Sequence, residues 1–224
     1  MKQERPTTHY IWRTRGDDKV RPSHAANNGR VFAWNDPPET GHPGQDYGCR
    51  CTAEPFMPSI NEHIDIEVAD VADSGNAWTS QDFVDHYYNG GGRGVAVRET
   101  GYLRNIVAQY MSEVGERMKN HIARIARGHP NRTFSDDFYN TYDMTGIVFS
   151  IGDTTIGGRF TGTCVSEFGI LTVSGQFEFY LNDEFADPID IGIELFGDPY
   201  PITDEWTRSF SGQVYADPSR SSFG

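Results

Sequence analysis

Two groups of side chains in this 224-residue chain have the types and spacing to do chemistry. The first is His24, His42, Cys49 and Cys51, imidazoles and thiols in an N-terminal stretch with no apolar period. A structural Zn²⁺ held by these four would supply folding energy that a missing core does not. Zinc ligands usually come as Cys-x2–4-Cys, and Cys49-Arg50-Cys51 is tighter. The alternative is that the histidines hydrogen-bond loop carbonyls and the thiols serve as small buried apolar groups. The second group is Asp183, Glu184, Asp187 and Asp190. If residues 183–187 stay extended, Asp183 and Asp187 share a face, with Glu184 opposite. Two such carboxylates can hold a hard cation such as Mg²⁺ through water, whereas Asp187-Pro188 also suits a solvated turn.

A carboxylate-held metal beside a cation neutralises a departing phosphate and activates water. Arg208 is the candidate cation, one of three Arg or Lys residues after Arg132; fifteen acids in that region offer it a surface ion pair instead. His86 is the candidate base, although a histidine beside Tyr87 and Tyr88 also fits a structural role. Trp206, Tyr200 and Phe196 can face a lipid or sugar, or pack in a core.

The elements that must position these groups are read from periodicity. Between Thr100 and Arg127, Leu103, Ile106, Val107, Tyr110, Met111, Val114, Met118, Ile122 and Ile125 recur at three- and four-residue steps, which predicts an amphipathic helix. Gly128 and Pro130 suit its end, with Gly128 as a left-handed cap. The polar face carries Arg104, Arg117, Lys119, Arg124 and Arg127. Short β-type runs follow at Ile147, Phe149 and Ile151, at Arg159–Val165 and at Ile170–Leu181, predicting an antiparallel meander. The expected class is α+β, one long amphipathic helix packed on an antiparallel, half-open barrel-like sheet, behind an irregular N-terminal segment. Residues 1–59 form that first unit, 60–76 an acidic linker, and 77–224 the main domain. Gly90-Gly91-Gly92 lacks the Lys-Ser/Thr of a phosphate loop and reads as a turn.

Charge narrows the function classes. Nineteen basic against thirty-two acidic residues give a net charge of -13, which disfavours nucleic-acid partners. No run of about 18 apolar residues predicts a membrane span. The start MKQERPTTHY lacks the apolar stretch of a secretory signal, so export is expected to need other machinery. Three cysteines are too few for a disulfide framework.

Two resemblances add to this reading. Trp12-Arg13-Thr14, Asp18-Lys19-Val20-Arg21, His24, Pro37-Pro38, Gly41-His42-Pro43-Gly44 and Cys49-Arg50-Cys51 resemble, in order, the terminal motif of phage Mu F-like head-morphogenesis proteins. That motif also precedes toxin domains in polymorphic secreted toxins, which implies a delivery or pre-toxin role and a chain cut from a larger effector. Farther on, Asp85–Val95, Gly101, Ser174-Gly175, Tyr180, Asp183–Asp187 and Phe210-Ser211-Gly212 are similar to the catalytic domain of colicin M, over roughly residues 77–215. The resemblance implies a lipid II hydrolase that uses a divalent metal such as Mg²⁺ in the periplasm. Asp183 matches that family's first essential Asp, Phe185 replaces a tyrosine, and the second Asp falls on Ala186 or Asp187. The family's His-Arg pair has no counterpart, because no histidine follows His129.

The expected function is an antibacterial effector that blocks cell-wall synthesis by cleaving lipid II, with peripheral membrane contact, a secretion machine and a cognate immunity protein as partners. A basic face on that inhibitor would complement the acidic C-terminal part. The alternatives are a non-enzymatic capsid-associated or membrane-perturbing protein, whose basic amphipathic helix lies on anionic lipid, and an effector acting on peptidoglycan.

Overall fold

The computed structural model describes residues 7–67, 71–143, 153–186 and 196–224. Its first unit is a small sheet. β1 (His9–Arg13) runs between β2 (Val31–Ala33) and β3 (Thr52–Pro55), antiparallel to both. Alternation along β1 turns Tyr10 and Trp12 inward, where both are fully buried. With Cys51 they make a core of their own, flanked by Phe32, Trp34, Cys49 and Ala53. α1 (Pro22–Ala25) is a single turn opened by proline, whose missing N–H is an unpaired one in any helix start.

β4 (His63–Ile66) falls in the stretch expected to be a connector and pairs antiparallel with the last strand, β9 (Tyr200–Tyr215). Glu62, just before β4, accepts hydrogen bonds from Tyr215 N, Ser221 Oγ, Ser222 N and Ser222 Oγ at 2.6–3.0 Å. α2 (Ser80–Asn89) opens with a reciprocal capping box: Thr79 Oγ1 accepts from Asp82 N, and the Asp82 carboxylate accepts from Thr79 N. β5 (Val95–Ala96) then pairs parallel with β9 at Ile202–Thr203. Just beyond β5, the Arg98 guanidinium grips the buried Asp204 carboxylate, which also accepts from Arg98 N.

α3 (Leu103–Arg127) follows the predicted spacing, and Leu103, Ile106, Val107, Tyr110, Val114, Met118 and Ile122 are buried, with Met111 and Ile125 half-buried. Its end differs from the expectation. Gly128 keeps a right-handed helical conformation, and Asn131 takes the positive φ of 58° before the chain turns into strand. Arg127 is not wholly given to solvent, since it donates to Tyr215 O and Ser221 Oγ.

β6 (Arg132–Asp143), β7 (Asp153–Glu167), β8 (Ile170–Phe185) and β9 form a meander of long strands. β7 and β8 are joined by the two residues Phe168 and Gly169, at φ 51° and 80°. Two positive φ values match the twist of a hairpin, but for phenylalanine that conformation costs about 1–2 kcal/mol. The Phe168 ring is edge-on to His9 at 4.6 Å and to Phe56 at 5.5 Å, so the hairpin tip meets the N-terminal unit.

The expected class is therefore corrected. The protein is mostly antiparallel sheet, in two sheets with nine strands among the described residues, and it is not one helix on a half-open barrel. The larger sheet runs β4-β9-β8-β7-β6, with β5 attached at the β9 edge, and its ends do not join. The physical reason lies in strand length. Strands of 12 to 16 residues bury Phe134, Phe160, Phe177, Phe179, Trp206 and Phe210 against α3, and at roughly 1.5–3 kcal/mol for each buried large side chain the sheet dominates the fold. The apolar face of α3 packs on this core, with Met111 and Ile125 at its partly exposed rim. Among the described residues no helix is long and apolar enough to cross a membrane.

Candidate functional site

Three of the four predicted thiol and imidazole residues come together. His24, on α1, is only 3% exposed, with the edge of its ring against Trp12. Its Nδ1 lies 3.5 Å from Cys49 Sγ and 3.8 Å from Cys51 Sγ, and ligand atoms of all three residues lie within 4.8 Å of one another. The tight Cys-x-Cys spacing has a simple use here. In a chain running extended into β3, residues two apart point to the same side, so both thiols meet one imidazole. With zinc–nitrogen and zinc–sulfur bonds of about 2.0 and 2.3 Å, the nitrogen–sulfur edge of a tetrahedral site is about 3.5 Å, close to the 3.5 and 3.8 Å observed.

The other ring nitrogen is also engaged. Asp46 Oδ2 sits 3.5 Å from His24 Nε2 and accepts from Arg21 Nη1 at 2.6 Å, while Arg21 Nη2 donates to Tyr47 O. A carboxylate on that side favours the tautomer with hydrogen on Nε2 and leaves the Nδ1 lone pair facing the thiols. His42 lies outside the trio. Its Nδ1 is 3.1 Å from the Tyr10 hydroxyl, and its ring lies beside Tyr10 and Trp34 at 5.5 Å. The two thiols differ. Burial pushes both up, but hydrogen bonds from Cys51 N, Gly44 N and the Cys51 thiol carry Cys49 below its usual value. Cys51 stays above its usual value because of burial and the hydrogen it shares with Cys49. The trio also lines a cavity of about 220 Å³ together with Arg15, Lys19, Arg21 and Arg50.

Of the second predicted group, Asp183 and Glu184 are among the described residues. Asp183 lies near the end of β8 on the inward face with Leu181 and Phe185, and is half-buried, whereas Glu184 is exposed on the other face. Burial is the main cause of a raised Asp183 pKa, and the Glu184 charge adds to it; hydrogen bonds from Glu184 N and the Thr154 side chain act the other way. Asp187 and Asp190 lie outside the described residues. His86, on α2, is 2.8 Å from Arg93 O through Nε2, and its ring meets Tyr200 edge-on at 4.6 Å. Tyr200 is stacked on Phe185, its partner across the strands. His86 and Asp183 thus belong to the same end of the sheet, among Trp78, Phe83, Phe185 and Tyr200.

Arg208 does not join them. It pairs in register with Phe177, six residues along β8 from Asp183 and so roughly 20 Å away at 3.3–3.4 Å per residue. The expected surface ion pair is not found among the described residues either. Arg208 is 4% exposed, and its Nε and Nη1 have no hydrogen-bond partner among the described residues. Of the aromatic candidates, Trp206 stacks in the core on Phe179 and Tyr200 is fully buried, while Phe196 is exposed. Sequence reasoning missed Asp46, which no spacing rule links to His24. It also missed Arg98 with Asp204, whose partners are 106 residues apart.

Residues 1–54 match the family described as phage Mu protein F like protein. An uncharacterized protein of Haemophilus influenzae (strain ATCC 51907 / DSM 11121 / KW20 / Rd) is 43% identical over 56 residues, which is 25% of this chain and 12% of the relative. The chain therefore spans a small fraction of that relative's length. No solved structure matches.

Proposed function

We propose that this chain is an antibacterial effector, in which a phage Mu F-like N-terminal unit precedes a β-rich domain that hydrolyses lipid II between undecaprenol and pyrophosphate in the target periplasm. The observation that carries the reading is Asp183, a carboxylate half-buried on the inward face of β8 with its pKa raised by burial. It stands where the colicin M-like resemblance puts an essential Asp. A carboxyl whose pKa is raised by burial keeps its proton to a higher pH than a free one, which favours a general-acid role.

In the reaction, water oxygen bonds to the phosphorus next to the lipid, the bond from phosphorus to the undecaprenyl oxygen breaks, and Asp183 gives its proton to that departing oxygen. A divalent metal such as Mg²⁺ would neutralise charge on the pyrophosphate. His86 is the candidate to take the proton from water, and its Nε2 would have to exchange the Arg93 carbonyl for it. Arg208 is too far along the sheet for this role. A membrane-perturbing reading draws less support, because the apolar face of α3 is packed on the sheet. A secretion machine and a cognate immunity protein are the expected partners.

The test is incubation of the purified protein with lipid II, with and without Mg²⁺, followed by mass analysis. Release of undecaprenol and a pyrophosphoryl disaccharide-peptide is expected, with Asp183→Ala reducing it at least a hundredfold. Intact lipid II, from folded protein that still kills when placed in the periplasm, would overturn the reading.

A further inference from the structure

The trio of His24, Cys49 and Cys51 supplies three ligands where a tetrahedral ion takes four. The obvious protein candidates for the fourth are held elsewhere. His42 is engaged with Tyr10, and Asp46 lies on the far nitrogen of His24. What the three ligands share on their open side is the cavity of about 220 Å³, whose wall carries Arg15, Lys19, Arg21 and Arg50. Arg21 is spent on Asp46 and Arg50 on Asp17. Arg15 and Lys19 have no side-chain hydrogen bond among the described residues.

We infer that this N-terminal unit holds a zinc-type divalent ion through His24, Cys49 and Cys51, with its fourth position open to an exogenous oxyanion drawn in by Arg15 and Lys19. The charge balance favours this occupant. Two thiolates and a neutral imidazole cancel the charge of a divalent ion, and the thiol protons leave to solvent as the metal binds. With Arg21 and Arg50 paired to Asp46 and Asp17, Arg15 and Lys19 leave the wall with excess positive charge that favours an entering anion. Open three-ligand sites take water or an external ligand in the fourth place, whereas purely structural sites are closed by four protein ligands. Asp46 is a positioning residue that orients His24 and is held by Arg21. The inference is independent of lipid II cleavage, because it concerns only the first unit.

Cobalt substitution tests it on the full chain. One equivalent of Co²⁺ is expected to give four-coordinate d–d bands and a thiolate-to-metal charge-transfer band. Cys49→Ser or Cys51→Ser should remove the charge transfer from that sulfur, and Asp46→Asn should weaken metal binding about 10–100-fold. Titration with inorganic phosphate, and separately with acetate, is expected to shift the d–d bands saturably. A response to phosphate alone identifies a phosphoryl ligand, and one to acetate alone a carboxylate. The double variant Arg15→Ala, Lys19→Ala should weaken that response at least tenfold with Co²⁺ affinity unchanged. Bands that neither anion moves in the unaltered protein, or that collapse in His42→Ala, would overturn the open site, and absence of Co²⁺ binding would overturn the metal centre itself.

Discussion

The two units solve the same problem with different means. The N-terminal sheet buries three residues fully enough to count as core, Tyr10, Trp12 and Cys51, and closes its loops with polar contacts such as Arg13–Glu54, Arg50–Asp17 and Arg21–Asp46. Exposed pairs of this kind add little each. The C-terminal sheet and α3 share a core of thirty-one buried residues among those described. A unit too small to bury much apolar surface gains most from a clamp such as the metal proposed above. A unit with surplus burial can tolerate groups that cost stability, and Arg208 and Asp183 are two of them.

The contrast can be broken most directly at the clamp. Chelation of the metal-loaded protein, or Cys51→Ser, is expected to abolish the near-ultraviolet dichroism of Trp12 and Trp34 while leaving the far-ultraviolet β signal of the larger sheet. Loss of both signals together would mean that the units fold as one. Next in size, Phe177→Ala should lower the stability of the larger sheet by about 3–5 kcal/mol in urea denaturation and leave Co²⁺ binding by the first unit unchanged. Arg208→Met should act in the opposite direction, raising the denaturation midpoint by the equivalent of about 1–4 kcal/mol, because it removes a buried guanidinium with two unpaired nitrogens. A destabilised variant would show that packing of the arginine stem outweighs its charge.

The smallest effect is linked to pH. The folded pKa of Asp183 lies above its unfolded value near 3.8, so its contribution is fully present below that value and is lost as pH rises through the folded pKa. Asparagine does not titrate. The stability of Asp183→Asn relative to the original protein should therefore climb across that window and level off above it. A difference that stays flat with pH, measured by urea denaturation, would mean that burial does not shift this carboxyl.

How far these features could be read from sequence depends on how local their causes are. α3 was legible because a 3.6-residue apolar period is a property of the helix alone. The strands were read too short, since Gly157, Gly158, Gly162 and Gly175 look like turn residues within β7 and β8. In the fold they make room for neighbours: a Cβ on Gly162 would come within 2.7 Å of the Phe134 ring and 2.8 Å of the Phe210 ring. The N-terminal sheet was missed altogether, because its strands of three to five residues pair across long loops and carry no period of their own. Thr79-Ser80-Gln81-Asp82 carries a local helix start, a threonine cap with an acid three residues on. At the candidate metal centre the residue types were visible, but choosing His24 over His42 needed Asp46 and Tyr10 in space.

The clasp at Glu62 also decides how the molecule answers a pull. Tension applied through the N-terminal unit reaches the bonds of Pro58 to Arg220 and of Ile60 to the Tyr215 hydroxyl, then those of Glu62 to Tyr215, Ser221 and Ser222, so these contacts carry the load before β4 does. When they part, β4 leaves the edge of β9 pair by pair, from His63 opposite Gln213 to Ile66 opposite Phe210, as a zipper opens. Burial raises the Glu62 pKa, but those same hydrogen bonds lower it more, so acid weakens the clasp as the pH falls through its depressed value. Unfolding under force would begin at this seam, with the sheet behind it still closed on α3.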